Sequence, residues 1–111
     1  MTITVENYGP SAVLKCKGDL NVDSLDAFKR TVDHQLQDAS VRDLVVNLEG
    51  VSFVDSLCLE YLLELQQRLN ERLGQVKLAC PDANVAKILE MTRLESAFER
   101  FSELSEAVKT G

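Results

Sequence analysis

The chain has 111 residues, the size of one domain with one core. It carries 12 basic and 18 acidic side chains, a net charge of -6 with the single histidine neutral, which argues against nucleic acid or an anionic membrane surface as partner. At 45% hydrophobic and 27% charged residues it is too apolar for disorder, and without tryptophan most of its core must be aliphatic.

The predicted elements begin with two strands. Ile3 and Val5 alternate with Thr2, Thr4 and Glu6; Tyr8-Gly9-Pro10-Ser11 supplies a turn; Ala12, Leu14 and Cys16 then alternate with Val13, Lys15 and Lys17 up to Gly18. From Asp23 the period changes. Leu25, Phe28, Val32 and Leu36 form one stripe of an amphipathic helix, with Asp23 or Ser24 as its expected N-cap and Asp26 near the positive end of the dipole. Asp43-Leu44-Val45-Val46-Asn47-Leu48 is the most apolar strand, and its unbroken run predicts burial on both faces of a helix-covered sheet. Val51 to Val54 leads into Asp55-Ser56, after which Leu59, Leu62, Leu63, Leu65, Leu69 and Leu73 mark a long helix with Gly74 as its expected C′ residue. Gln75 to Cys80 alternates as a further strand, and Pro81-Asp82 opens a helix through Val85, Ile88, Leu89 and Met91. Phe98 to Phe101 reads as a short strand and Ser102 to Lys109 as a terminal helix. The order β-β-α-β-α-β-α-β-α predicts an α/β domain, a mixed central sheet with amphipathic helices, spanning residues 1–111 without linker or repeat.

No apolar run approaches the ~20 residues of a membrane span, so no membrane insertion is expected, and the opening MTITVENYGP lacks the basic-then-apolar order of a signal peptide. Cys16, Cys58 and Cys80 are odd in number and widely spaced, which fits reduced thiols in a cytoplasmic protein better than a disulfide framework or a zinc site. Chemistry-bearing patterns are sparse. The five glycines have no phosphate-loop spacing, His34 falls off the apolar stripe of its helix as a surface residue, and the glutamates of the last third sit at solvating spacings. No catalytic set, cofactor or metal is therefore expected.

Val54-Asp55-Ser56-Leu57 is different. There a buried strand gives way to a helix across two polar residues, at the sheet edge where α/β folds present ligands and partners. Asp55 or Ser56 is the expected N-cap, and a serine at a helix N-terminus is a favourable seat for a phosphate, although Asp55 opposes it. Leu57 and Tyr61, with Glu60 and Glu64 nearby, share a helix face; they either form an exposed apolar patch beside Ser56 or pack beneath the neighbouring helix, and the sequence leaves both open. Cys58 falls on the stripe of Leu62, Leu65 and Leu69, which predicts core packing, while its place at a helix N-terminus leaves a redox role open.

The stretch from Leu48 to Ser56, together with Gly18-Asp19-Leu20-Asn21, Pro81 through Thr92-Arg93-Leu94 and the closing Ser102 to Val108, resembles STAS domains, specifically bacterial anti-sigma-factor antagonists, over nearly the whole chain. That resemblance implies a STAS fold and a partner-switching regulator of transcription rather than an enzyme. It implies a kinase-like anti-sigma factor and a PP2C-type phosphatase as partners, with Ser56 as the phosphorylated residue and Asn21, Asp55, Ser56, Leu57, Glu60 and Tyr61 at the partner surface. The sequence departs from the family pattern where Leu57 and Cys58 replace a small polar residue and a glycine. The alternative is an unphosphorylated adaptor subunit of a transporter ATPase or a sensory complex. At 111 residues the chain is expected to form one such domain with nothing appended.

Overall fold

The computed structural model describes residues 1–109; the predicted C-terminal boundary at 111 lies outside the described residues. The elements are β1 (Thr2–Tyr8), β2 (Ser11–Lys17), α1 (Val22–Leu36), β3 (Asp43–Gly50), α2 (Ser56–Glu71), β4 (Val76–Ala79), α3 (Ala83–Met91), β5 (Glu99–Phe101) and α4 (Leu104–Lys109). Their order is the predicted one. The five strands form one mixed sheet in sequence order, with β1 antiparallel to β2 and the remaining pairs parallel.

This stepwise order places the crossover helices. Each parallel connection moves one strand in the same direction, and right-handed crossovers then bring α1, α2 and α3 onto one face. The main core forms there, with Phe28, Val32, Leu62, Leu65, Leu69, Val85 and Leu89 packed on Leu14, Leu44, Val46, Leu48 and Leu78. On the other face Ala107 of α4 covers Val13, Val45 and Ala79. Residues 43–48 are therefore buried throughout, as the apolar run predicts. Lys77 also lies beneath α4, wholly buried, where its Nζ donates to the Ala107 carbonyl at 3.1 Å and sits 3.7 Å from Asp43 Oδ2. Those oxygens replace the water that a buried ammonium loses.

Two helix ends differ from expectation. The N-cap of α1 is Asn21 rather than Asp23 or Ser24: its Oδ1 accepts from the Asp23 and Ser24 amides, and Ser24 Oγ accepts from the Asn21 amide, a reciprocal capping box. At the end of α2 the left-handed residue is Leu73 (φ 63) rather than Gly74. Leu73 N–H donates to Asn70 O and Gly74 N–H to Leu69 O, which closes a Schellman motif one residue earlier than predicted. Gly74 is needed for a different reason, since a Cβ there would stand 1.9 Å from the Arg42 carbonyl oxygen.

Candidate functional site

The segments leaving β2 and β3 continue side by side beyond the sheet. Leu20 N–H donates to Phe53 O and Asp55 N–H to Leu20 O, both at 2.9 Å, and the buried Leu20 and Val54 form a parallel bridge. Immediately afterwards both chains turn into helices, α1 capped by Asn21 and α2 by Asp55. The bridge thus sets two helix N-termini next to each other, and residues distant in sequence meet.

Asp55 is the hinge of this arrangement. Its extended backbone (φ -86, ψ 173) lets Oδ1 accept from Cys58 N–H at 3.0 Å, so of the two caps the sequence left open, Asp55 or Ser56, the aspartate is the one used. The Cys58 amide holds the carboxyl below the usual carboxylate range, and the amides of Val22 and Leu57 add to the effect. The carboxylate therefore draws on amides from the starts of both α1 and α2.

Ser56, the first residue of α2, is exposed, and so is Glu60. Leu57 and Tyr61 part company. Leu57 is 48% exposed, whereas Tyr61 packs beneath α1 with its ring edge-on to Phe28 at 6.0 Å and Lys29 Nζ 5.2 Å from its centroid. Burial pushes the Tyr61 hydroxyl up to about 12. The apolar patch beside Ser56 is built instead from Leu57, Val22 and Phe53, all exposed at this end of the molecule. Sequence reasoning missed Val22 and Phe53; the available signal was that each is apolar, lies within two residues of a cap and fits no helical stripe. Asp19, Asp23 and Glu60 add exposed negative charge around the patch.

Cys58 is buried in the main core with Leu62 and Leu65, as its stripe predicts. Burial, reinforced by the Asp55 carboxylate, pushes its thiol up to about 12. Desolvation outweighs the helix dipole here, so the thiol stays protonated and the redox role left open by the sequence loses its physical basis. His34 is exposed in the last turn of α1, at the far end of the helix from Asn21, and cannot serve Ser56 as a base. Among the described residues no group of three or more His, Cys, Asp and Glu could hold a metal ion, and no helix is long and apolar enough to cross a membrane. What the arrangement offers is an accessible serine hydroxyl within a partly apolar, acid-rimmed surface.

The STAS domain model matches residues 2–107. A candidate anti-sigma factor antagonist of Thermotoga maritima is 22% identical over 97 residues, covering 87% of this chain and 86% of its own. Among solved structures, a candidate anti-sigma factor antagonist from Thermotoga maritima superposes with a TM-score of 0.88 at 19% identity, covering 97% of this chain and 92% of that one. The Bacillus cell fate determinant SpoIIAA in its phosphorylated form gives 0.75 at 18% identity, with 98% of each chain covered. At these identities the solved structures establish the shared fold.

Proposed function

Because the chain belongs to the STAS-domain family, a family of regulatory, non-catalytic domains that includes the bacterial anti-sigma-factor antagonists, we propose that it acts as an anti-sigma-factor antagonist switched by phosphorylation of Ser56. In this reading the unmodified domain holds a kinase-like anti-sigma factor. Phosphorylation releases it, and a PP2C-type phosphatase resets the domain. The observation that carries the reading is the exposed Ser56 hydroxyl at the first position of α2, flanked by exposed Leu57, Val22 and Phe53.

The physical chemistry of the switch follows from Asp55. A phosphoserine adds about 1.5 to 2 negative charges and strong acceptor oxygens. At an uncapped helix start those oxygens would turn back onto free amides. At α2 the Asp55 carboxylate already takes the Cys58 amide, and its charge repels a second anion. The phosphate is therefore left pointing outward, into the surface a partner must cover, and binding would require its desolvation. In this reading Asn21, Asp55, Leu57 and Glu60 contribute to the partner surface around that point. Tyr61, buried against Phe28, serves the surface by fixing α2 on α1 rather than by direct contact.

The departure from the family pattern at Leu57 and Cys58 is the ground for the adaptor alternative. The burial of Cys58 weakens it, since the side chain replacing the usual glycine enters the core and leaves the outer face beside Ser56 unobstructed. Incubation with the cognate kinase-like partner and ATP, followed by phosphopeptide mapping, tests the reading. Modification at Ser56 is expected. Ser56→Ala should retain the partner, and Ser56→Asp should bind it ~100-fold or more weakly, as a buried unpaired charge demands. Modification elsewhere, or none by an active kinase, refutes the switch and leaves the constitutive adaptor.

A further inference from the structure

The sheet has two edges, and they are finished differently. β5 is three residues long and carries Glu99 and Arg100, so it offers a neighbour little backbone and much charge. β1 is seven residues long, contains neither proline nor lysine, and keeps an unshifted register with β2 over its whole length. Edge strands that stay unpaired are blunted by shortness, charge, proline or a bulge, and β1 has only Glu6.

The hairpin turn decides which backbone groups of β1 face outward. Gly9 (φ 57) and Pro10 form a two-residue turn with the left-handed glycine first. The flanking Tyr8 and Ser11 are then a hydrogen-bonded pair, and by alternation so are Glu6 with Val13, Thr4 with Lys15 and Thr2 with Lys17. The amides and carbonyls of Ile3, Val5 and Asn7 therefore point away from β2. A second copy of β1, laid antiparallel, satisfies all of them in one register, which sets Val5 against Val5 and Ile3 against Asn7. Centring on Thr4 instead leaves Asn7 opposite Met1, outside the strand, and centring on Glu6 sets two like charges face to face.

Charge favours the same register. Glu6 then lies opposite Thr4 of the second copy, whose neighbour on β2 is Lys15. Glu6 and that Lys15 are two strand spacings apart, about 9–10 Å between backbones, which two long side chains bridge across a threonine. Two-fold symmetry makes the contact twice. Both residues are exposed, and among the described residues neither forms an ion pair. Tyr8 Oη donates to Glu6 and keeps the carboxylate on this face.

We propose that β1 pairs antiparallel about Val5 with β1 of a second copy of this chain, joining two five-stranded sheets into one. The β2 strands of the two copies then run in opposite directions, so the Ser56 surfaces stand at opposite ends and both stay open. Such pairing needs neither phosphorylation of Ser56 nor another protein. Sedimentation equilibrium of the full chain should show a monomer–dimer equilibrium with Kd on the order of 100 μM, the weak end expected of a contact confined to one strand and its flanks. Amide hydrogen exchange by NMR at about 50 μM and about 1 mM should slow several-fold with concentration at Ile3, Val5 and Asn7, and stay unchanged at Thr4 and Glu6, already bonded to β2. E6K and K15E should each weaken the dimer about 10-fold, and E6K/K15E should restore it, because the swapped charges again meet across the axis. A chain that stays monomeric at about 1 mM, its edge then left for a strand of some other protein, overturns the proposal. So does a dimer without added protection at Ile3, Val5 and Asn7, a comparison that needs no variant to fold, or a double variant no tighter than the single ones.

Discussion

Asp55 has two separable duties, capping α2 and setting the charge beside Ser56, and replacing it by Ala or by Asn distinguishes them. Ala removes the acceptor of the Cys58 amide, at 3.0 Å, and leaves that amide without its side-chain partner. Loss of an N-cap of this kind costs about 1 kcal/mol, within a range of roughly 0.5–2. For a chain of 111 residues that corresponds to a fall in Tm of about 4–6 °C. Asn keeps the acceptor and removes only the charge, so Asp55→Asn should retain most of the stability at pH 7. The pH dependence follows from the depressed folded-state pKa of Asp55. Its charge-linked contribution is present above the unfolded value of about 3.9 and is lost as pH falls through the lower folded value. Because the carboxylate is close to solvent, that part is screened and small. Asp55→Asn and the parent should therefore converge as pH falls below about 4, the ordinary carboxylate value, while Asp55→Ala stays below both. With no tryptophan, urea unfolding is followed by far-UV circular dichroism at each pH. An Asp55→Ala midpoint indistinguishable from the parent at pH 7 would refute the assignment of Asp55 as the cap, and so would a gap between Asn and parent that widens on acidification.

Three other perturbations test the frame behind the site. Gly74→Ala should destabilise the fold by about 3 kcal/mol or prevent folding, because the new Cβ meets backbone, the Arg42 carbonyl, which no rotamer change can relieve; chemical denaturation reads it, and a near-neutral result would mean the α2–β4 turn moves freely. The Arg72 guanidinium donates to the carbonyls of Leu36, Asp38 and Val41 and fastens the end of α1 to that of α2. Arg72→Met should cost about 1.5–3 kcal/mol in the same assay, the range for hydrogen bonds to a charged group. Burial pushes the Cys16 and Cys58 thiols up to about 12, so near neutral pH both should react with a thiol reagent roughly a thousandfold more slowly than an ordinary exposed cysteine. Half-buried Cys80 should label first, and rapid labelling of Cys58 in the native state would contradict its place in the core.

Element order was legible because it rests on period. Alternation at Ile3 and Val5, the helical stripe Leu25-Phe28-Val32 and the unbroken run Leu44-Val45-Val46 each report which side of an element meets the core. Helix ends were less legible because their signals compete locally. Asn21, Asp23 and Ser24 are all good caps, and the choice fell to Asn21 through its reciprocal bond with Ser24. Gly74 looks like a left-handed terminus, yet its lack of a side chain answers the close approach of Arg42, which only the folded chain brings near. The site divided similarly. Asp55 and Ser56 could be singled out at a strand-to-helix junction, but Val22 and Phe53 could not be joined to them before the Leu20–Val54 bridge was known.

The sequence by itself determined the α/β class, the order of elements and the Asp55-Ser56 junction that starts α2, since these depend on neighbours within one or two helical turns; the fold decided that Asp55 rather than Ser56 is the cap. Tertiary structure alone decided that Leu57 faces outward while Tyr61 turns inward, four residues apart on one helix. The position of α1 draws that line, because Phe28 and Lys29 cover Tyr61 and end short of Leu57. It also decided that the net charge of -6, spread along the sequence without evident focus, contributes Asp19, Asp23 and Glu60 to the surroundings of one exposed serine. Parallel pairing of β2 with β3 is the cause, for it carries two chain segments to the same end of the sheet and starts two helices there.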